Sequence, residues 1–531
     1  MTELLAVIAF AAFAFFCARR LLRYLHIFQQ DEYDATRFLP WLANTASFDK
    51  RVSAALVLFG IMTYITKDVA LGQAETGLIA ALFALAGFRE ADPRKAAKKK
   101  LVLTNRAKRI FGVSLGLCLL VGIGAAIMGG SFKWLAAVQL IPFLLVVGNF
   151  LLKPIEANIQ QGFRTAAEDR LRQVAPKTIG ITGSFGKTSV KHILGHVLQM
   201  NTNALYTPGS VNTVMGISRI INERLADNCK YFIVEMGAYG IGSIKRLCNF
   251  TPPDHGILTS IGEAHYERFK DLETVAEAKF ELAEAVAQRK GLMVIDETVL
   301  ERAYARKFVE ADRQSFIVVG DSSASDIQIL SNEQTRDGLV VKIKHDGHDH
   351  ELFAPLFGIH HGRNMALAYG LASSLGIAPD RIVAALRSTP QIVHRLEVKS
   401  HPSGATYVDD AFNANTDGIA NGIDLLATLQ KDGGRRILVT PGVAELGARH
   451  DEVHSMLGAK AARDTEVTIA VKPERIPTFV QSFRAANTEA ELLTFETFNE
   501  AQAWINQNLR PDDAILIAND LPDLLEREFA T

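Results

Sequence analysis

The sequence predicts an α/β protein: a P-loop-type doubly wound central domain and a C-terminal α/β (Rossmann-like) domain, preceded by an α-helical transmembrane region. Three observations predict this architecture. Long apolar runs crowd into the residues before Lys153. A glycine-rich loop at residues 180–189 joins an apolar strand to an amphipathic helix. After Lys177, strand and helix patterns alternate, as they do in doubly wound sheets.

The N-terminal part is the source of the positive mean hydropathy, +0.11, of this 531-residue chain. Its apolar runs lie at residues 4–17, 54–65, 77–88, 110–128 and 134–152. The last two are long enough to span a bilayer outright, and the first spans if it continues through residues 21–28. The second and third are short and predict a spanning or re-entrant hairpin. We do not expect a cleavable signal peptide, because the first run is followed, not preceded, by arginines.

Charged loops orient these segments. Basic residues cluster at 19–23, at Lys50 and Arg51, and at 89–109, whereas the loops near 67–72 and 129–133 carry almost no charge. The positive-inside rule then predicts an external N-terminus, five spans, and a cytoplasmic location for everything after Lys153. Anionic membrane lipid is an expected partner of the basic loops.

Four regions follow from these patterns. Residues 1–152 form the transmembrane region, 153–176 a polar connector helix, 177–393 the central domain and 394–531 the C-terminal domain. We expect the connector to lie along the membrane surface or to pack on the central domain. Strands are predicted at residues 178–182, 231–235, 256–260, 291–295, 316–319, 406–408, 437–440, 467–471 and 514–517, with a hairpin at 339–345 and 349–355.

Overall charge and cysteine usage exclude some functions. The formal net charge is −1, so nothing indicates a nucleic-acid partner. The four cysteines have neither metal-ligand nor redox spacing, and they indicate a reducing compartment for the soluble part.

The loop at 180–189 is predicted to bind phosphate. Its glycines Gly183 and Gly186 let backbone N–H groups close around phosphate oxygens, and the following helix N-terminus adds partial positive charge. Lys187 would reach the β/γ-phosphates and Thr188 would hold Mg²⁺, with Ser184 and Ser189 completing the loop. The spacing is T-G-x-x-G-K-T, shorter at its start than the usual phosphate loop. A bare turn is the weaker interpretation, because such a turn needs neither the lysine nor the threonine.

An acidic residue ends a neighbouring predicted strand. Glu235 lies at the carboxyl end of strand 231–235, where doubly wound sheets bind their ligands. A carboxylate there can hold Mg²⁺ together with Thr188 and the phosphates. His265 and Lys279, taken alone, would be a surface histidine and a solvated lysine.

Several segments together carry a family resemblance: T-G-S-F-G-K187-T, E235-M-G-A, the segments around His265 and Lys279, H394-R395-L-E, and D409-D410-A-F-N413-A-N415. In this order they resemble the Mur ligase family, from about Thr178 to the C-terminus. The D-D-x-F-N-A-N and V-A-E-L-G segments are most similar to the branch of that family that adds D-alanyl-D-alanine. The family consists of ATP-dependent amide ligases of bacterial cell-wall synthesis.

The resemblance implies a role for each matching residue. Lys187, Thr188, Asn364, Arg395 and Asp410 would bind ATP, Asn364 through the adenine, while Asn413 would support the Asp410 loop. Thr188 and Glu235 would hold one Mg²⁺ and His265 a second. Lys279 matches a lysine that is carbamylated in many members, which turns a cation into a metal ligand. The implied catalytic set is Lys187, Lys279, His265, Arg395 and Asp410.

The departures from the family concern the substrates. A membrane region stands where soluble members carry a domain that grips a UDP-sugar, and A518-N-D-L-P-D replaces a K-G-S-R stretch near the C-terminus. The expected protein is therefore a membrane-anchored relative in the bacterial inner membrane, with catalytic domains in the cytoplasm. It would join a carboxylate and an amine from the cell envelope through an acyl phosphate, and the donor would be UDP-linked, lipid-linked or polymeric.

Two alternatives remain open. A poly-γ-glutamate synthase-like ligase also combines membrane segments with such a core, but that group usually has Arg where Phe185 stands. A non-catalytic, ATP-binding membrane scaffold would not need Glu235, His265, Lys279 and Asp410. His345, His348 and His350 suggest a metal site, but they flank a predicted hairpin turn, and we favour ordinary turn residues.

Overall fold

The computed structural model describes residues 2–66, 69–95, 100–238, 240–262, 271–411, 416–443, 446–486 and 489–518. Two compact units make up the chain, one with residues up to Gln161 and the other with Gly162–Asp520. Each unit has its own apolar core, so each is described by itself.

The first unit is helical throughout its regular structure. Its helices are α1 (Thr2–Gln30), α2 (Ala35–Asn44), α3 (Arg51–Thr66), α4 (Val69–Arg89), α5 (Asn105–Met128) and α6 (Ser131–Val174). Among the described residues, three of these are long and apolar enough to cross a membrane: Glu3–Gln30, Asn105–Met128 and Ser131–Val174. They correspond to the first, fourth and fifth predicted spans. The second and third apolar runs are also helical, as α3 and α4, and the apolar stretch of α3 is shorter, at Arg51–Ile65.

Charged side chains inside this unit are paired with each other. Arg20 Nη2 lies 2.5 Å from both Asp49 Oδ2 and Glu90 Oε1, and all three side chains are buried. Arg109 Nε lies 2.5 Å from Glu156 Oε1. Because a buried charge without a partner is costly, these pairs allow charged residues to remain between apolar helices.

Helix α6 continues without a break through the predicted connector. The change from an apolar to a polar pattern predicted a separate connector helix at 153–176, whereas the structure keeps Pro142 and Pro154 inside one 44-residue helix. A proline interrupts only its own hydrogen bond and distorts one turn, and the turns on both sides still gain from packing. Its last turns, at Ala167, Leu171 and Val174, pack into the core of the second unit. Packing of the connector on the central domain was one of the two arrangements that we expected from the sequence.

The second unit begins with the central domain. In chain order its elements are β1 (Lys177–Thr182), α7 (Lys187–Asn201), β2 (Ala204–Tyr206), α8 (Val214–Arg224), β3 (Tyr231–Glu235), α9 (Ser243–Phe250), β4 (His255–Leu258), α10 (Leu272–Gln288), β5 (Met293–Asp296), α11 (Ala303–Ala311), β6 (Phe316–Gly320), β7 (Ile327–Gln334), β8 (Leu339–His345), β9 (His348–Ala354), α12 (His361–Ser374) and α13 (Pro379–Leu386).

These strands form one sheet in the order β2-β3-β1-β4-β5-β6-β7-β8-β9. Strands β2 to β6 are parallel, and β7, β8 and β9 add an antiparallel meander. Separate apolar cores cover the two faces, one built on α7 and α12 and the other on α8, α9 and α10. The carboxyl ends of β1, β3 and β4 therefore meet at one edge, where ligands bind in such sheets.

The C-terminal domain has a second sheet. Its elements are β10 (Glu397–Ser400), β11 (Thr406–Asp410), α14 (Thr416–Leu429), β12 (Arg436–Thr440), α15 (His450–Asp464), β13 (Val467–Val471), α16 (Pro477–Ala486), β14 (Glu491–Phe495), α17 (Phe498–Asn508) and β15 (Ala514–Ala518). The strand order is β10-β11-β15-β12-β13-β14, and only β10 is antiparallel to its neighbour. This is the α/β arrangement that the alternating pattern predicted.

Candidate active site

The phosphate loop adopts a conformation that requires glycine at two positions. Gly183 has φ +151° and Gly186 has φ +81°, and Gly186 caps the N-terminus of α7. A Cβ on Gly183 would lie 1.9 Å from Thr259 Oγ1, and one on Gly186 would lie 2.7 Å from Asn364 Oδ1. The loop is thus packed closely against β4 and α12, and any side chain would push it open.

The segment after β4 braces this loop. The N–H of Ser184 donates to Ser260 O at 2.9 Å, and the N–H of Phe185 donates to Ser260 Oγ at 3.0 Å. The Ser184 hydroxyl donates to Gly262 O and accepts from Gly262 N, both at 2.8 Å. Both polar groups of Ser184 are therefore used to hold the loop in shape.

Lys187 lies folded across the loop. Its Nζ donates to Gly183 O at 2.7 Å and to Ser184 O at 3.0 Å. Burial lowers the pKa of Lys187 to about 8; Glu235 opposes this effect and the Arg395 guanidinium adds to it. The loop thus presents a desolvated cation, which a phosphate group would stabilise.

Thr188 and Glu235 meet, as the sequence predicted. Glu235 ends β3 beside Ile181 of β1, and its side chain is almost completely buried. Thr188 Oγ1 donates to Glu235 Oε2 at 2.9 Å, and Asn212 Nδ2 donates to Oε1 at 3.3 Å. A hydroxyl and a carboxylate are oxygen ligands of the kind that Mg²⁺ prefers, so this donor set fits that ion.

Lys191 is a site residue that sequence reasoning missed. It lies one helical turn after Lys187, its Nζ is 2.9 Å from Glu235 Oε2, and it also donates to Gly209 O. Its position in the helix could have indicated it. Lys191 lies between Val190 and Ile193, on the mainly apolar face that the helix buries. A lysine buried on such a face needs a carboxylate partner.

Lys279 lies on α10 with only 5% of its surface exposed. Among the residues that the structure describes, its ammonium has no hydrogen-bond or ion-pair partner. Burial places the pKa of Lys279 well below its usual value, and the nearby Lys187 charge lowers it further. Both effects favour the neutral amine over the ammonium, and the neutral amine is the nucleophilic form of a lysine.

Asn364 lies at the start of α12 beside the phosphate loop. Its Nδ2 donates to Nδ1 of the buried His361 at 3.3 Å. Burial keeps the pKa of His361 well below its usual value, so the ring is neutral and its proton resides on Nε2. That Nε2 has no partner among the described residues.

Arg395 and Asp410 approach the loop from the C-terminal domain. The Arg395 charge acts on both Lys187 and Glu235, and the flanking residues His394 and Leu396 have φ of +58° and +48°. Asp410 ends β11 and accepts from Leu396 N at 3.2 Å. Burial raises the pKa of Asp410 to about 7, although Arg395 acts in the opposite direction.

An ion-pair network supports this approach. The ligand atoms of His394, Glu397 and Asp409 lie within 4.8 Å of one another, the one such metal-like group among the described residues. Lys399 Nζ already occupies the position of a cation, 2.8 Å from Glu397 Oε2 and 3.0 Å from Asp409 Oδ2. Asp409 also accepts from Ala411 N, so the network holds the start of the loop after β11.

A buried histidine, His454, holds the loop after β12, and no motif in the sequence pointed to it. His454 is fully buried on α15; its Nε2 accepts from Val443 N at 3.0 Å and its Nδ1 donates to His450 O at 2.8 Å. Arg475 Nη1 donates to Pro441 O at 3.2 Å. Burial lowers the pKa of His454 to about 4, which keeps Nε2 an acceptor.

Two predicted site residues, His265 and Asn413, lie outside the described residues. The histidines of the hairpin lie away from the loop, where His345 and His350 pack against the ring of Tyr369 at 5.6 Å.

Comparison with known families gives two matches. The Mur ligase middle domain matches residues 181–372, and the Mur ligase, glutamate ligase domain, matches residues 394–519. Together they cover more than half of the chain.

Curated relatives carry one shared name. The UDP-N-acetylmuramoyl-tripeptide–D-alanyl-D-alanine ligase of Bacillus subtilis (strain 168) is 28% identical over 56% of this chain and 63% of its own length. That of Escherichia coli (strain K12) is 28% identical over 55% of this chain and 64% of its own length. The chain thus spans less than two thirds of the length of these relatives.

Solved structures share the fold. MurF from Acinetobacter baumannii superposes with a TM-score of 0.58 at 22% identity, covering 69% of this chain and 81% of that one. MurF from Thermotoga maritima in complex with ADP gives a TM-score of 0.56 at 20% identity, covering 70% and 82%.

Proposed function

Because the chain belongs to the Mur ligase family, we propose that it is an ATP-dependent ligase that joins a carboxylate to an amine on a peptidoglycan precursor. The observation that carries this proposal is one cluster: Lys187 inside the phosphate loop, the Thr188–Glu235 pair beside it, and Arg395 reaching over from the second sheet. A site for nucleotide alone would need no cation from another domain.

Each residue of the cluster has a defined task in this proposal. Gly183, Ser184, Gly186 and Ser189 shape the loop around the ATP phosphates, and Asn364 faces the adenine. Lys187 and Arg395 neutralise charge on the transferred phosphoryl group. Asp410 orients Arg395, and Asn413 supports the loop after Asp410. Thr188 and Glu235 would hold Mg²⁺, which would supply positive charge next to the phosphates.

The reaction proceeds in two steps. A substrate carboxylate oxygen attacks the γ-phosphorus, the bond to ADP breaks, and an acyl phosphate forms. The amine nitrogen then attacks the carbonyl carbon, loses a proton, and inorganic phosphate leaves with the bonding electrons. Closure of the C-terminal domain over the central domain would exclude water, which would otherwise hydrolyse the acyl phosphate.

In the proposed enzyme, Lys279 is carbamylated. The nitrogen of a neutral lysine attacks the carbon of carbon dioxide and loses a proton to solvent, which gives a carbamate with one negative charge and two oxygens. The amine of Lys279 is buried, has no partner among the described residues and has a lowered pKa, which together favour the neutral form that this reaction needs. With His265, the carbamate would hold the second Mg²⁺ of the site.

The proposed substrates come from the cell envelope. The curated relatives are named for joining UDP-N-acetylmuramoyl-tripeptide to D-alanyl-D-alanine. Residues before 181 lie outside both family matches, so the carrier of the carboxylate is open between a UDP-linked, a lipid-linked and a polymeric donor.

The test uses the full chain purified in detergent. It is incubated with ATP, Mg²⁺ and either the named UDP-tripeptide with D-alanyl-D-alanine or fractionated envelope precursors. We expect phosphate release that depends on both carboxylate and amine, an amide product by mass spectrometry, and loss of both in Lys187→Ala. ATP binding without turnover on any fraction would instead favour the non-catalytic scaffold.

We also propose that the first 152 residues anchor the enzyme in the bacterial inner membrane as five segments, with the 153–176 helix leading to the ligase domains, 177–393 and 394–531, in the cytoplasm. The support is the apolar surface that the first unit leaves uncovered. Large exposed apolar side chains occur on its helices, among them Leu4, Tyr64, Ile65, Phe88, Ile127 and Phe150. Membrane lipid would cover them.

Cysteine labelling tests this topology in whole cells. The four native cysteines are buried, so background labelling is low. An impermeant maleimide should label Gly130→Cys from outside and should reach Lys100→Cys only after the cells are opened. The reverse pattern would overturn the orientation.

A further inference from the structure

Lys191 lies beside the carboxylate that the proposed function assigns to the metal. Its Nζ is 2.9 Å from Glu235 Oε2, and the two side chains are 1% and 2% exposed. The same ammonium donates to Gly209 O, in the loop that follows β2. Lys191 thus ties together the helix after the phosphate loop, the end of β3 and a neighbouring loop.

Both oxygens of Glu235 are already engaged. Oε2 accepts from Lys191 and from Thr188, and Oε1 accepts from Asn212. A divalent cation that binds Oε2 must therefore displace the Lys191 ammonium or share the oxygen with it. Two cations on one buried oxygen repel each other strongly, because little water screens them.

The charges around this carboxylate add to that repulsion. Within the described part of the chain, Lys187 and Arg395 both act on Glu235 electrostatically, so that together with Lys191 three cations act on this carboxylate. The negative charge of Asp410 offsets part of the positive charge of Arg395. Such a site disfavours a free dication and favours a polyphosphate, which brings several negative charges of its own.

We propose that Lys191 is an internal counter-ion that keeps Glu235 from binding Mg²⁺ alone, so that the metal binds only together with the nucleotide. The nucleotide phosphates then supply the negative charge that compensates both Lys191 and the ion. Lys191 is a positioning residue here, because it contacts Glu235 and not the reacting atoms. The nucleotide half of this statement rests on the proposed function; the metal half rests on Glu235 and Lys191 alone.

Electron paramagnetic resonance of Mn²⁺, a probe for Mg²⁺, tests the proposal on the full chain in detergent without any turnover. Nucleotide-free wild type should bind Mn²⁺ weakly at Glu235, and ADP should increase the affinity. Lys191→Met should bind one Mn²⁺ at least about tenfold more tightly without nucleotide, because the buried carboxylate then lacks its counter-ion. Lys191→Arg, the matched control, should behave as wild type.

Subtraction of the Glu235→Gln signal removes ions held at other carboxylates, and the double variant Lys191→Met, Glu235→Gln should lose the gained site. Nucleotide-free wild type that binds Mn²⁺ through Glu235 as tightly as Lys191→Met would overturn the proposal, and so would wild type whose affinity ADP leaves unchanged although ADP binds. If Lys191→Met does not fold, Lys191→Gln replaces it in the same comparison, because it also removes the charge but keeps a polar end that can donate to Gly209 O. Absence of ligase turnover leaves these readouts intact, and absence of ADP binding would count against the proposed function instead.

Discussion

Two buried lysines at the candidate site differ in their electrostatic environment, because only one of them has a carboxylate beside it. Lys191 has a carboxylate 2.9 Å away and forms an ion pair, whereas Lys279 has no partner among the described residues, and burial together with the Lys187 charge lowers its pKa well below the usual value. The two residues lie on helices that cover opposite faces of the same sheet. The neighbours of a buried lysine thus decide whether its ammonium is stabilised or its neutral form is favoured.

Lys279 should carry a carbamate. With ¹³C-bicarbonate, the wild-type chain should show one carbamate carbonyl signal by NMR that is absent in Lys279→Ala. Ligase turnover of that variant should fall about 10- to 100-fold, as when a group that orients a metal is removed, and a short carboxylic acid should restore part of it. Lys245→Ala, at an exposed lysine, is the control and should keep both signal and turnover. An unchanged signal in Lys279→Ala would contradict the assignment.

Asp410→Asn should stabilise the protein at high pH. The folded pKa of about 7 lies above the ordinary 3.8, so the stability that the protonated group provides is complete below pH 3.8 and is lost as the pH rises through about 7. Above that pH the variant should therefore exceed wild type by up to about 4 kcal/mol. Thermal unfolding from pH 4 to 8 measures the difference, which should vanish near pH 4.

The neighbouring Asp409 is the matched control, because its pKa shifts in the opposite direction from that of Asp410. Burial would raise its pKa, but Lys399, His394 and the N–H of Ala411 outweigh burial and lower it. Its stabilisation is present above pH 3.8 and is lost as the pH falls through its lowered folded pKa. Asp409→Asn should therefore destabilise the protein at neutral pH. Parallel profiles for the two variants would refute both assignments.

At the scale of elements, the phosphate loop is a fixed structure rather than a flexible one. Hydrogen bonds hold it to the segment after β4. Gly183 packs against Thr259 of that segment and Gly186 against Asn364 of α12, and neither position has room for a Cβ. The loop is therefore formed before any ligand arrives, and a ligand need not supply the free energy to order it.

Alanine at the loop glycines should prevent nucleotide binding. Gly183→Ala and Gly186→Ala each place a Cβ against a neighbour at a positive φ, a strain of about 1–3 kcal/mol, so ADP affinity should fall about tenfold or more by calorimetry. Gly162→Ala, on α6 with no atom within 4 Å of the new Cβ, should leave ADP affinity unchanged and raise the melting temperature slightly. Equal affinities in all three variants would show that the loop rearranges freely.

The elements that the sequence did not predict are mostly short or at edges. β2, β10 and β14 lie at sheet edges, and β7 starts the meander with only two of its eight residues fully buried. An edge strand is covered on one side only, so its apolar alternation is weak. The central strands β1, β3 and β13 are buried along almost their whole length and were predicted to within a residue.

At the scale of the molecule, the second unit contains everything that the proposed chemistry needs. Its cores lie within residues from Gly162 onwards, and they hold both sheets. A fragment of residues 162–531 should therefore fold without detergent and bind ADP, whereas the full chain should need detergent because of its exposed apolar helices. Size-exclusion chromatography and calorimetry check this, and an aggregated fragment without ADP affinity would contradict it.

Local spacing in the sequence determined the fold class, the phosphate loop, the apolar segments and the family. These features depend on residues within one strand, loop or helix, whose conformational preferences act over a few positions. The meeting of Thr188 with Glu235 also followed, because parallel strands end at one edge of a sheet.

Tertiary structure alone decided the electrostatics of the site. Lys191 pairs with Glu235 across 44 positions, Arg395 comes from another domain, and the pKa of Lys279 falls because packing removes water and brings Lys187 near. The continuity of α6 through Pro154 is a second example, because packing outweighed a local preference to stop. Desolvation and long-range pairing depend on which chain segments become neighbours, and spacing along the sequence does not encode that directly.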